Sequence, residues 1–304
     1  MIPPVVDADW WQGHRADVVL ADVRWYLDGR SGRAAYDHGH LPGAVFVELE
    51  RWLAAPASAG RGRHPLPEPE VFAEGMSLLG VGDQTTVVAY DDAGGVIAAR
   101  LVWLLRVTGH PGALLDGGLQ AYDGPLEDAV QVPPPASFTP SPWPAHRLAS
   151  IDEVTDPAFV VLDARERSRY LGEHEPIDPR AGHIPGARSL PCRDHVDDAG
   201  RFAPVTQLRQ RFASVGVDEG TPVVSYCGSG VTACHNLLAL EWAGLGQGRL
   251  YPGSWSQYSH AEHRAVATGE PDPRPAPGWA AGVSRRSRAG SAGPPAATPP
   301  ALPG

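Results

Sequence analysis

Three short motifs occur twice in this chain, in the same order both times. Val18-Val19-Leu20-Ala21-Asp22-Val23-Arg24 is answered by Phe159-Val160-Val161-Leu162-Asp163-Ala164-Arg165, and His40-Leu41-Pro42-Gly43-Ala44 by His183-Ile184-Pro185-Gly186-Ala187. Thr86-Val87-Val88-Ala89-Tyr90-Asp91 is answered by Pro222-Val223-Val224-Ser225-Tyr226-Cys227, and Gly117-Gly118 and Pro252-Gly253 close each copy after another short strand. A spacing kept over so many residues is the mark of a duplicated folding unit. Each copy alternates apolar β-branched runs with helical patterns, which predicts an α/β fold: two tandem units, each a mostly parallel sheet flanked by helices. Ligands of such sheets bind beyond the carboxyl ends of the strands.

The copies differ where chemistry would be. Val223-Val224-Ser225-Tyr226 reads as a buried strand, and Cys227-Gly228-Ser229-Gly230-Val231-Thr232 as a tight loop after it. Val231, Cys234, Leu238 and Trp242 recur at helical spacing, so a helix is expected from Val231. A loop of this kind turns successive N–H groups toward one point and so favours an anion there, here a Cys227 thiolate. The first copy places Asp91 at that position, followed by glycines and an apolar helix expected over 96–107. A carboxylate cannot carry sulfur, so the first unit is expected to be silent and to form one wall of a cleft. Asp22, Arg24 and His40 recur as Asp163, Arg165 and His183 in both copies, which marks them as structural.

The boundaries expected are a silent unit over 1–123, a proline-rich extended connector without helix over 124–147, a catalytic unit over 148–270 and a Pro/Ala/Gly/Arg/Ser tail over 271–304. The formal net charge of −10 argues against nucleic acid or an anionic membrane as partner. Three cysteines, Cys192, Cys227 and Cys234, are too few for a disulfide framework and point to a reducing compartment. No run approaches the ~18 apolar residues of a membrane helix, and the first residues lack the pattern of a secretory signal, so a cytoplasmic protein is expected. All the basic residues are arginine, which excludes a catalytic lysine.

Two units with Asp-x-Arg strand ends and His-x-Pro-Gly-Ala turns, and Cys-Gly-Ser-Gly-Val-Thr-Ala in the second alone, resemble the tandem-domain rhodanese-family sulfurtransferases over about residues 5–268. The neutral loop after Cys227 looks like the 3-mercaptopyruvate branch, since thiosulfate-preferring members usually carry charged residues there. Thiosulfate, a compact dianion, would favour fixed positive charge in the loop. The resemblance implies transfer of a sulfane sulfur from 3-mercaptopyruvate to a thiol or cyanide through a Cys227 persulfide, with no cofactor and no metal. The acceptor it implies is a thiol such as a thioredoxin-like protein.

It also implies site residues. Arg169 would bind the donor carboxylate, beside Gly228, Gly230, Val231 and Thr232 of the loop. The family's second arginine follows a Glu-Pro pair. Here Glu175-Pro176 is followed by Ile177, leaving Arg180 to take that role. Ser229 would join His64 and Glu50 in a proton relay, with His64 as proton donor to the leaving enolate. Cys192 and Cys234 read as core residues, and Trp255 as packing near the loop. Three rivals remain. A cysteine phosphatase needs an arginine six positions after its cysteine, where Ala233 stands. Thiosulfate:cyanide sulfurtransferase activity and a relay module that only holds a persulfide stay open.

Overall fold

Residues 2–270 are described by the computed structural model, and the tail expected over 271–304 lies outside them. Five strands, β1 (Val5–Val6), β2 (Val18–Asp22), β3 (Val45–Phe46), β4 (Thr86–Tyr90) and β5 (Gly112–Leu115), form a sheet in the order β1-β5-β4-β2-β3. Four more, β6 (Val160–Asp163), β7 (Arg188–Ser189), β8 (Val223–Tyr226) and β9 (Arg249–Leu250), form a second sheet in the order β7-β6-β8-β9. Every pairing is parallel. Read from the other edge, the second sheet repeats the first without β1. A parallel bridge between Leu148 and Leu250 takes the place of β1 against β9.

Period-two alternation explains why these strands are apolar throughout. Val87 and Ala89 of β4 enter one core while Val88 and Tyr90 enter another on the opposite face. In β8 and β6, Val223, Val160 and Leu162 face one core, and Val224, Tyr226 and Val161 the other. The duplicated motifs build duplicated local structures. Arg24 grips Asp22 at 2.7 Å and donates to the Gly39 carbonyl, while Arg165 grips Asp163 at 2.6 Å and donates to the Gly182 carbonyl. His40 stacks on Tyr36 and His183 on Tyr170, each with Nδ1 at 2.8 Å from that tyrosine's carbonyl.

The helices are α1 (Ala8–Gly13), α2 (Gly32–His38), α3 (Pro69–Leu78), α4 (Ala99–Val107), α5 (Arg167–Leu171), α6 (Val205–Ser214), α7 (Ala233–Trp242) and α8 (Ser254–Tyr258). Both α4 and α7 begin two or three residues later than their apolar spacing suggests, because the loops before them are wound around the buried Asp91 and Cys227 side chains. The two units share one interior. Val102, Cys234, Leu237 and Leu238 of α4 and α7 lie in a common core, and Arg106 pairs with Glu241 across the seam.

The proline-rich stretch is not a free spacer. Phe138 is buried edge-on against Phe72 and stacked on His110, and the Trp143 indole donates to the Pro67 carbonyl at 2.7 Å. A single 3₁₀ turn, Ala145–Arg147, ends it where no helix was expected.

Candidate active site

Cys227 follows β8 directly, at the carboxyl end of a central strand. Its backbone is fixed from both sides. The Cys227 N–H donates to Ser254 Oγ at 3.2 Å, and the Cys227 and Gly228 carbonyls accept from Trp255 and Ser256 at 2.9 and 2.8 Å. The Gly230 N–H reaches Cys227 Sγ at 3.1 Å. Gly230 has φ +80°, and a Cβ there would lie 2.5 Å from the Pro252 carbonyl oxygen, so the turn requires glycine.

The first copy shows which groups this loop turns inward. The Asp91 carboxylate is completely buried and accepts N–H bonds of 2.7–2.9 Å from Ala93, Gly95, Ile97 and Ala98. Gly94, with φ +76°, is the counterpart of Gly230. Burial pushes the Asp91 carboxyl upward, and these four donors oppose that shift. Where Asp91 brings two oxygens, Cys227 brings one sulfur, which takes a single N–H.

Cys227 is only 2% exposed, yet it forms part of the floor of a cavity of about 690 Å³. Gly228, Ser229, Val231 and Thr232 line the same floor, and the first unit supplies Trp25, Tyr26, Val96 and Ile97 opposite. Two guanidinium groups hang over Gly228. A Cβ built there would lie 2.9 Å from Arg63 Nη2 and 3.5 Å from Arg169 Nη1. Both arginines pair with Asp178, and Arg169 also holds Glu175 at 2.6 Å. The loop is neutral, as its sequence says, and its roof brings two guanidinium groups that are each paired with acids.

Ser229 Oγ lies 2.8 Å from His64 Nδ1. Burial, reinforced by the nearby Arg100 and Arg63 charges, pushes His64 down to about 4. Its imidazole is therefore neutral near pH 7, so any proton it gives must first be taken up. Beneath the loop lies Arg100 of α4. Its side chain is completely buried, and it donates to the carbonyls of Leu53, His64 and Gly230 at 3.2, 3.2 and 2.9 Å. No carboxylate lies within ion-pair distance of it among the described residues. One side chain thus ties the His64 segment to the Cys227 loop.

The rhodanese-like domain family matches the sequence twice, over residues 8–124 and 148–261. This chain belongs to the rhodanese family. A Pseudomonas aeruginosa relative named "Probable 3-mercaptopyruvate sulfurtransferase" is 43% identical over 84% of this chain and 93% of its own length. An Arabidopsis thaliana relative, thiosulfate/3-mercaptopyruvate sulfurtransferase 2, is 31% identical over 86% of each chain. Among solved structures, SseA of Escherichia coli, a 3-mercaptopyruvate sulfotransferase, is 31% identical with a TM-score of 0.73, over 84% of this chain and 99% of that one.

The rhodanese site draws together most of the residues singled out from sequence. Cys227, Gly228, Ser229, Val231, Thr232 and Arg169 line one cavity, Gly230 lies beneath the sulfur, and His64 joins through Ser229. Two expectations are corrected. Arg180 does not reach the cavity, because its guanidinium is occupied by the carbonyls of Tyr258, Ser259, Ala261 and Arg264. Glu50 is exposed and accepts from the Trp25 indole at 3.2 Å. Trp25 stands edge-on to His64, with ring centroids 5.1 Å apart. The π-helical turn Leu49–Leu53 presents Glu50 to that indole rather than to the imidazole.

Arg63, Asp178, Arg100 and Ser254 were not found from sequence. The structure shifts the closing pair by one residue: the Leu119 and Trp255 N–H groups donate to the Asp91 and Cys227 carbonyls, so Gly118, with φ +48°, corresponds to Ser254, with φ +51°, and not to Gly253. The other three act across the seam between units, where no local pattern speaks.

Proposed function

We propose that this rhodanese is a sulfurtransferase that moves a sulfane sulfur from 3-mercaptopyruvate to a thiol or to cyanide through a persulfide on Cys227. One observation carries the reading. The loop around Asp91 turns four main-chain N–H groups onto a buried carboxyl group, and the same loop in the second copy holds a cysteine facing a cavity. The amides of Ser229, Val231 and Ala233 are the counterparts of three of those donors, and they suit the negative outer sulfur of a persulfide.

The Cys227 thiolate attacks the donor's sulfur. An S–S bond forms, the C–S bond breaks, and its electron pair leaves as the enolate of pyruvate, which takes a proton at carbon. Ser229 accepts the donor's thiol proton while passing its own to neutral His64, and the return of that proton quenches the enolate. An acceptor thiolate then attacks the outer sulfur, leaving as a persulfide and regenerating the Cys227 thiolate. Two covalent half-reactions require ping-pong kinetics.

Cys192 also lines the cavity, but burial pushes its thiol up to about 12, as it does that of Cys234, so neither competes as nucleophile. All three cysteines are free, which suits the reducing cytoplasm, and no described helix is long and apolar enough to cross a membrane. A thioredoxin-like protein is the acceptor that such a compartment offers. Thiosulfate is the second reading, favoured by the two guanidinium groups over Gly228.

The deciding experiment compares kcat/KM on 3-mercaptopyruvate and thiosulfate, with cyanide and thioredoxin as acceptors, for the native chain and Cys227→Ser. Mercaptopyruvate should be preferred, and the variant should stay folded, lose turnover and gain no sulfur atom by mass. Turnover surviving in Cys227→Ser would end the proposal. Persulfide loading without turnover would reassign the protein as a relay.

A further inference from the structure

The anion roof over Gly228 is assembled from both units, and one acid sits inside it. Arg169 Nε and Nη2 are engaged by Glu175 and Asp178, while its Nη1, the atom nearest Gly228, has no partner among the described residues. Arg63 gives Nη1 to Asp178, its Nε is buried with no partner, and its Nη2 is turned to Gly228. Two unengaged guanidinium donors therefore stand side by side above the residue next to Cys227. One comes from the catalytic unit and one from the silent unit. Both lie within 3.5 Å of a Cβ built on Gly228, and donors from two guanidinium groups can take the two oxygens of one carboxylate. Arg180, the sequence's candidate for the second arm, is pinned elsewhere.

The charges decide what the fork prefers. Arg165 is balanced by Asp163 and Glu175, and Arg169 by Glu175 and Asp178, leaving Arg63 to share Asp178. Three arginines thus face three carboxylates. The Asp178 side chain is 2% exposed, so water screens it little. Its negative charge repels a dianion about twice as strongly as a monoanion at the same place.

We propose that Arg63 and Arg169 form a carboxylate clamp spanning both units, and that Asp178 between them is a charge filter selecting a monoanionic sulfur donor over a dianionic one. The clamp rests on the sulfur-transfer reading above and specifies its donor class: a 2-oxo acid carboxylate is held, and thiosulfate is disfavoured by Asp178 rather than by the loop.

The test uses the full chain with 3-mercaptopyruvate and thiosulfate as donors and cyanide as acceptor. Arg63→Ala should raise the mercaptopyruvate KM by roughly tenfold or more, the loss of a charged hydrogen bond, with kcat changed by less than about threefold. Arg63→Lys should recover part of it. Asp178→Asn should raise the ratio of thiosulfate to mercaptopyruvate kcat/KM by roughly tenfold. If Asp178 merely props the arginines, Asp178→Asn would instead raise both KM values together, and the filter is refuted. An Arg63→Ala chain that melts earlier but keeps its KM makes Arg63 a seam ion pair and refutes the clamp. Native chain inert toward both donors sinks the sulfur-transfer reading itself, a result distinct from either.

Discussion

Ser254 is the one non-glycine residue with positive φ among those described, and it sits against Cys227. Such a conformation costs on the order of 1 kcal/mol for serine and persists where something over-determines it. Here the hydroxyl accepts the Cys227 N–H and donates to the Tyr251 carbonyl at 2.9 Å. Gly118 takes a similar φ in the first copy without a side chain. The strain is thus tied to holding Cys227. Ser254→Gly relieves the backbone but frees the Cys227 N–H, so stability should change by less than about 1 kcal/mol while kcat/KM falls roughly tenfold. Urea unfolding and steady-state kinetics on one preparation check the pair. A variant that is both more stable and fully active would make Ser254 incidental. Gly228 illustrates the opposite need, since any side chain there would strike the guanidinium roof.

Between elements, the sheets were legible in the sequence because duplicated Val-rich strands and Asp-x-Arg ends carry their own local signals. Their equal order in the two sheets follows from the repeat. The His64–Ser229 contact spans 165 positions and came only through the family resemblance. Arg100 had no signal at all, as an arginine inside an apolar helix pattern reads as an exposed face. Glu50 was misplaced because a π-helical turn shifts which residues share a face. What Arg100 does depends on two opposed costs. Burying a guanidinium without an acid costs several kcal/mol, while three carbonyls deprived of a donor cost about 1–3 kcal/mol each. These nearly cancel, so Arg100→Met should shift Tm by less than about 8 °C. The rate should respond far more, because the Gly230 carbonyl is released and the cation nearest the loop from below is removed. A fall in kcat of at least tenfold is expected, together with loss of the persulfide from protein treated with mercaptopyruvate and then desalted. An unchanged kcat would reduce Arg100 to packing.

Over the whole molecule, buried histidines set the response to acid. Burial pushes His64 down to about 4, His195 to about 3 and His235 to about 4, with the neighbouring Arg100 adding to the first, His235 to the second and Arg193 to the third. In the unfolded chain each titrates near 6.5. A folded pKa below the unfolded one means that the native state refuses a proton the unfolded state takes. The stabilisation is present above about pH 6.5 and is lost as pH falls toward 4. Three such groups give a slope of up to about 4 kcal/mol per pH unit between roughly pH 6 and 4. Asp91, Asp116 and Asp178 are all pushed upward by burial and act the other way, since the native state takes their protons first. Their effect begins nearer the carboxylate range, so the histidines dominate the first part of the limb. Against a total of about 5–15 kcal/mol for a folded domain, acid unfolding should centre near pH 5. His64 stays neutral until about pH 4, so its protonation does not limit the molecules still folded through that range. Stability from urea titrations at half-unit pH steps, compared with His195→Leu, isolates the cause. His195 stacks on Phe212 in a fully buried aromatic pocket, so leucine can occupy its space. The variant should lose one proton from the slope between pH 6 and 4, and parallel curves for the two chains would show that the limb belongs to other groups.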